Sequence, residues 1–204
     1  MSDDSNKNAQ SGPFSNGAST QEKKSQGSLL GYTVVALGLA LFIRFFVAAP
    51  YVVSGASMDP NFEDWNYLII DRISYDIGDP KRGDVIVFDL PQEGGRSLIK
   101  RVIGLPGETV VLKGQSVTIV NEKYPEGLTL EEPYLDPKNL EGINDMRVTL
   151  GADEYFVLGD NRRVSADSRL WGTLEREHIV GRALIRLYPL DHISLLPGEA
   201  RYDE

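Results

Sequence analysis

Residues 98–120 read LIKRVIGLPGETVVLKGQSVTIV, and they carry the pattern that decides the fold. Three short runs rich in β-branched residues alternate with turn segments that contain glycine or proline, as is typical of strands joined by tight turns. Similar runs recur along the chain, at residues 67–70, 84–88, 98–103, 109–112, 116–120, 154–158 and 179–188. Long amphipathic helical patterns are missing. The sequence therefore predicts a mainly β domain over residues 51–204, with mixed and mostly antiparallel strands.

One stretch of this domain, residues 121–147, breaks the strand pattern. It contains three prolines, and seven acidic residues stand against two lysines before Arg147. We interpret it as a solvated, loop-like insertion in which the sequence shows no chemistry.

The N-terminal part divides into a polar segment and an apolar one. Residues 1–27 are mostly small and polar, so they are predicted to form a disordered tail. In residues 29–49, 17 of 21 residues are apolar, and such a run would span roughly 31 Å as a helix, about the thickness of a bilayer core. We predict an uncleaved transmembrane anchor over residues 28–50, ended by Pro50. A buried core helix and a cleaved export signal are the alternatives.

Charges flanking the apolar run set the expected orientation. Lys23 and Lys24 precede it, whereas the first charges after Arg44 are acidic. The positive-inside rule then places the tail in the cytoplasm and residues 51–204 outside, with the lipid bilayer as a partner.

Composition excludes several classes of function. The chain carries a net charge of -9, no cysteine and two histidines, His178 and His192. Acidity opposes general binding to nucleic acid phosphates, and the lack of cysteine excludes thiolate nucleophiles, iron–sulfur clusters and Cys-containing zinc sites. We expect no nucleic acid partner, no metal and no cofactor.

Two residues in separate segments form a candidate catalytic pair. Ser57 lies in the turn SGASMDP, residues 54–60, and Lys100 lies within an apolar strand. Taken singly, they fit a turn serine and an edge-strand lysine that opposes aggregation. Taken together, they fit a nucleophile and its base, because burial among apolar residues lowers the pKa of a lysine until its neutral amine can accept a proton. Ser165, in the polar loop of residues 159–169, is a candidate to orient that amine.

The same segments resemble the conserved boxes of the bacterial type I signal peptidases, which are membrane-anchored Ser–Lys proteases. The matching stretches are SMDP at 57–60, RGDVIVF at 82–88, IKRVIGLPG at 99–107, GDNR at 159–162 and SADSR at 165–169. They occur in the family's order, and the resemblance covers roughly residues 29–190. Two positions depart from the pattern: Gly55 stands where some members have a serine, and Asn61-Phe62 stands where Thr-Leu is common.

The resemblance implies a role for each matching residue. Ser57 would be the nucleophile, Lys100 the general base and Ser165 a hydrogen-bond partner of the lysine amine. Structural charge pairs would join Asp160 to Arg162 and Asp167 to Arg169. The Ser57 backbone N–H would contribute to the oxyanion hole, and Ser54 is a possible second donor.

The implied activity is removal of signal peptides from exported precursor proteins after small residues in an Ala-x-Ala pattern, at the bacterial plasma membrane. A self-cleaving Ser–Lys protein and a non-catalytic, membrane-anchored β module that binds a partner are the alternatives. The membrane span weighs against the first, and the presence of both Ser57 and Lys100 weighs against the second.

Overall fold

A computed structural model gives the structure of the protein and describes residues 23–43, 47–90, 96–140 and 144–202. The chain divides into two units, residues 1–41 and residues 42–204. The described part of the first unit is helical and belongs to α1 (Lys23–Phe42), whose apolar side chains from Leu29 onward are exposed.

The N-terminal predictions need correction at both ends of the apolar run. Residues 1–22 of the predicted tail lie outside the described residues, but residues 23–27 are helical. The predicted anchor runs to residue 50, whereas Ala48–Val52 form a strand. Pro50 is compatible with that strand because it lies at the edge of its sheet, where a missing N–H costs no ladder hydrogen bond. Over the ranges that the structure describes, no helix is long and apolar enough to cross a membrane.

The second unit is built from short strands. In chain order they are β1 (Ala48–Val52), β2 (Tyr67–Asp71), β3 (Val85–Asp89), β4 (Ser97–Gly104), β5 (Thr109–Lys113), β6 (Ser116–Val120), β7 (Leu128–Thr129), β8 (Met146–Thr149), β9 (Glu154–Leu158), β10 (Leu174–Glu175), β11 (Ile179–Tyr188) and β12 (Ser194–Leu195). Two short α-helices, α2 (Ser74–Ile77) and α3 (Ser168–Trp171), lie between them, as do 3₁₀ turns at Pro137–Asn139, Arg176–His178 and Leu190–His192.

These strands form two antiparallel sheets. The larger has the order β1-β2-β11-β3-β4-β9-β10, with β12 paired to β11, and the smaller has the order β7-β6-β5-β8. All seven runs predicted from sequence are strands, so the mainly antiparallel β prediction is confirmed. Of the strands that were not predicted, β7, β10 and β12 have two residues each, too few for a local pattern to mark them, whereas β1 begins within the predicted anchor and β8 within the predicted insertion.

Strand β4 is the part of the fold that positions the site. It lies between β3 and β9, with Lys100 opposite Ile86 and Arg101 opposite Leu158. Beyond Lys100 its residues are buried, and Ile103 packs with apolar residues of the smaller sheet such as Val110. Lys100 is therefore paired with β3, and the pairing with β9 begins at the next residue, Arg101, so the lysine lies on a strand held on both sides and packed against a core.

Candidate active site

The serine loop, residues 53–62, carries Ser57 and follows β1 directly. Gly55 has φ of +99°, which a residue with a side chain rarely adopts, and its N–H donates to Asp64 at 2.8 Å. Met58 forms a β-bridge with Phe62, and both side chains are fully buried. The loop is thus fastened to the core immediately after Ser57, while Ser57 itself stays partly accessible.

Lys100 comes from β4 to meet this loop. Its Nζ lies 2.8 Å from Ser57 Oγ and 2.7 Å from the backbone carbonyl oxygen of Ile99. Only 2% of the Lys100 residue surface is exposed. The structure therefore brings together the serine and the lysine that lie 43 positions apart in sequence.

Burial lowers the pKa of Lys100 to about 8, from an ordinary 10.5. Asp167 and Asp160 oppose this effect because negative charge favours the ammonium form, whereas the positive charge of Arg96 adds to it. A lysine with this pKa is partly neutral near physiological pH. The neutral amine can accept the proton of a hydroxyl at hydrogen-bond distance.

A cleft opens onto this pair. Its walls include Tyr51, Val53, Ser54, Arg96, Leu98 and Ile99, so it runs between the serine loop and the start of β4. Ser54 is exposed and lines the cleft together with Ser57.

Ser165 lies close to the pair but does not bond to the lysine. A Cβ placed on Gly159 would lie 2.2 Å from Ser165 Oγ and 2.4 Å from the Ser57 carbonyl oxygen, so Ser165 packs behind the serine loop. Within the described part of the chain its buried hydroxyl has no hydrogen-bond partner. The second partner of the Lys100 amine is the Ile99 carbonyl instead.

The charge pairs differ in part from the sequence prediction. Asp167 and Arg169 form a bidentate pair with contacts of 2.8 Å. Asp160, however, pairs with Arg101 at 2.6 and 2.8 Å rather than with Arg162. Both of those side chains are fully buried.

Arg162 forms an ion pair with an acidic residue of the loop-like insertion. Its guanidinium pairs with Glu132 at 2.5 and 3.1 Å, and its Nε donates to the Gly159 carbonyl oxygen. One feature of the sequence was a usable signal for this arrangement: strand alternation places Arg101 on the opposite face from Lys100, where it needs a separate counter-charge. Nothing local identified Glu132.

A serine hydroxyl hydrogen-bonded to a buried lysine amine beside an open cleft is an arrangement that can perform acyl transfer, with a lysine in the place that histidine takes in other serine peptidases. The family model described as signal peptidase, peptidase S26, matches residues 27–188. The chain belongs to this family.

Known relatives are similar over most of their length. A probable signal peptidase I-1 of Synechocystis is 39% identical over 163 residues, which are 76% of this chain and 79% of the relative. Signal peptidase I of Leptolyngbya laminosa is 38% identical over 211 residues, covering 99% and 100% of the two chains. A crystal structure of signal peptidase I from Enterococcus faecalis is 32% identical and covers 52% of this chain and 97% of its own, with a TM-score of 0.44.

Proposed function

We propose that this chain is a serine endopeptidase that removes signal peptides from secretory precursor proteins, with Ser57 as nucleophile and Lys100 as general base. Membership in the S26 family supports the activity. The observation that carries the two roles is the 2.8 Å contact between Ser57 Oγ and the buried Lys100 Nζ.

The geometry supports a two-step acyl transfer. The neutral Lys100 amine takes the Ser57 proton as Oγ attacks the carbonyl carbon of the scissile bond, and the resulting ammonium returns that proton to the leaving amine. A water molecule, deprotonated by the same amine, then attacks the acyl carbon, and the lysine ammonium returns that proton to Ser57 Oγ as the acyl bond breaks and the carboxyl product leaves. The Ser57 N–H donates to the developing oxyanion, and Ser54, on the same wall of the cleft, is the proposed second donor.

The precursor is proposed to bind as an added strand between the serine loop and the start of β4. Main-chain hydrogen bonds would hold the peptide, and shallow pockets would select its side chains. The narrow, partly apolar cleft walls near Ser57, including Val53 and Ile99, fit small residues such as those of an Ala-x-Ala pattern.

The proposal includes attachment of the chain to a lipid bilayer, with the catalytic unit on the outer side of the membrane. Its support is the apolar composition of residues 29–49 and the exposure of apolar side chains such as Leu37 (60%) and Leu39 (58%) along α1. Replacing both leucines by glutamate is expected to release the full chain from membranes into a carbonate wash. Equal retention of the wild type and the double variant in the membrane pellet would contradict attachment through this segment.

Cleavage of a precursor that carries an Ala-x-Ala site tests the catalytic pair. Ser57→Ala and Lys100→Met are each expected to abolish cleavage and to leave the domain folded, because each removes chemistry without removing core. Lys113→Met is the matched control for the lysine, since Lys113 is an exposed residue of the smaller sheet. Substantial cleavage by either folded active-site variant would show that a different pair carries the reaction.

A further inference from the structure

A segment of the loop-like insertion contacts the serine loop. This segment, residues 131–140, lies between β7 and β8 and is here named the clamp segment. We propose that Asn61 and Asn139 are positioning residues, which join the serine loop to the clamp segment and so hold Ser57 at hydrogen-bond distance from Lys100. This inference rests on the proposed function.

Asn61 joins two separate parts of the chain to the serine loop. Its Nδ2 donates to the Tyr134 carbonyl oxygen at 2.9 Å and to Asp160 Oδ2 at 2.8 Å. Both partners are acceptors, so only the NH₂ end of the amide can face them, and both of its hydrogens are used. The Thr common at this position in the family has one donor and could not make both bonds.

Asn139, the last residue of the 3₁₀ turn Pro137–Asn139 in the clamp segment, provides a second connection. Its Nδ2 donates to the Asp59 carbonyl oxygen at 3.1 Å, and its own carbonyl oxygen accepts from the Arg163 N–H at 3.1 Å. The Asn161 N–H in turn donates to the Ser57 carbonyl oxygen at 3.0 Å. The backbone on both sides of Met58 is therefore held by side chains and amides from outside the serine loop.

The clamp segment is itself fixed to the strand that carries the base. The Tyr134 ring lies 3.8 Å from the Arg101 guanidinium, and Arg101 is the neighbour of Lys100 on β4. The buried pair of Glu132 and Arg162 fastens the start of the segment. The clamp segment thus contacts both the serine loop, which carries the nucleophile, and β4, which carries the base.

This arrangement matters because, among the residues that the structure describes, Ser57 has no strand partner. Lys100 is positioned by ladder hydrogen bonds, whereas the bridge between Met58 and Phe62 is the loop's own β pairing. A displacement of about 1 Å between reacting groups can lower a catalytic rate by roughly 100-fold. Loss of the Asn61 or Asn139 bonds should therefore act on the chemical step and leave binding in the cleft largely intact.

The test is steady-state kinetics on an Ala-x-Ala precursor. Asn61→Ala and Asn139→Ala are each expected to lower kcat by about 10- to 100-fold with KM changed less than about threefold. Asn61→Thr, which keeps one donor, should recover part of the lost kcat. That pattern of loss and partial rescue separates positioning from a general loss of stability.

Asn121→Ala is the matched control. Asn121 Nδ2 donates at 2.8 Å to Glu108, which pairs with the buried Arg82, so the contact resembles that of Asn61 with Asp160 and Arg101. This variant should lower the unfolding midpoint to a similar degree with kcat unchanged. If Asn61→Ala and Asn139→Ala lose stability but keep the wild-type kcat, the positioning role is refuted.

Two further outcomes are distinguishable. If Asn61→Ala does not fold, Asn139→Ala decides the question alone, because it leaves the pair of Asp160 and Arg101 untouched. If Ser57→Ala retains cleavage, the proposed function fails, whatever the asparagine variants show.

Discussion

The activity of this protein is expected to follow the titration of Lys100. Its pKa of about 8, against an ordinary 10.5, leaves roughly one amine in ten neutral at pH 7, compared with about one in 3,000 for an ordinary lysine. The lowered pKa therefore raises the reactive fraction about 300-fold. Since only the neutral amine accepts the Ser57 proton, kcat/KM should rise nearly tenfold from pH 6 to pH 7 and level off above about pH 9.

The assay is cleavage of one precursor between pH 6 and pH 10, at constant ionic strength, with the fold monitored by circular dichroism. Arg96→Gln should move the profile toward alkaline pH, because the positive charge of Arg96 lowers the pKa of Lys100. Arg147→Gln, which removes an exposed cation from the smaller sheet, should leave the profile in place. A profile flat from pH 6.5 to 8.5 would refute the assignment of Lys100 as the base, and one still rising tenfold per unit near pH 10 would refute the lowered pKa of Lys100.

Three other substitutions test the energetics of the site. Lys100→Met should raise the free energy of unfolding at pH 7 by about 1–3 kcal/mol, because it removes an amine that is mostly charged at this pH and whose burial destabilises the folded state. A variant that is less stable than the wild type in urea denaturation would contradict this. Asp160→Asn should lower the free energy of unfolding by about 3–5 kcal/mol, because Arg101 would stay buried without its counter-charge; a loss below about 1 kcal/mol would show that the pair is dispensable. Gly159→Ala should reduce kcat at least about tenfold, because its Cβ would lie 2.4 Å from the Ser57 carbonyl oxygen. Gly151→Ala, whose Cβ would lie 3.2 Å from the Glu154 carboxylate and away from the serine loop, is its control, and equal kcat values for the two variants would count against this steric argument.

Much of the fold could be predicted because the residues that form strands carry a pattern that is local in sequence. β-Branched residues in alternation, with Gly and Pro between the runs, marked the seven runs that form β2 to β6, β9 and β11. The candidate pair was also open to prediction, because a lysine within an apolar strand and a serine in a glycine turn are unusual enough to be noticed together.

The residue at which the predicted anchor ends could not be determined from the sequence pattern. An apolar run that ends at a proline has the same composition whether its last residues continue a helix or enter a sheet. Pairing of Pro50 with Ile69 on β2 decides that they form the edge strand β1.

Which buried acidic residue pairs with which arginine could not be predicted from the sequence, for a different reason. Asp160 and Arg162 are near neighbours in one loop, yet Asp160 pairs with Arg101, because β9 runs beside β4 and places Leu158 opposite Arg101. Strand register and chain folding, not spacing in sequence, determine which charges meet. The sequence alone predicted Ser57 and Lys100 as a candidate pair, whereas only the tertiary structure showed their 2.8 Å contact and the hydrogen bonds that join residues 131–140 to the serine loop.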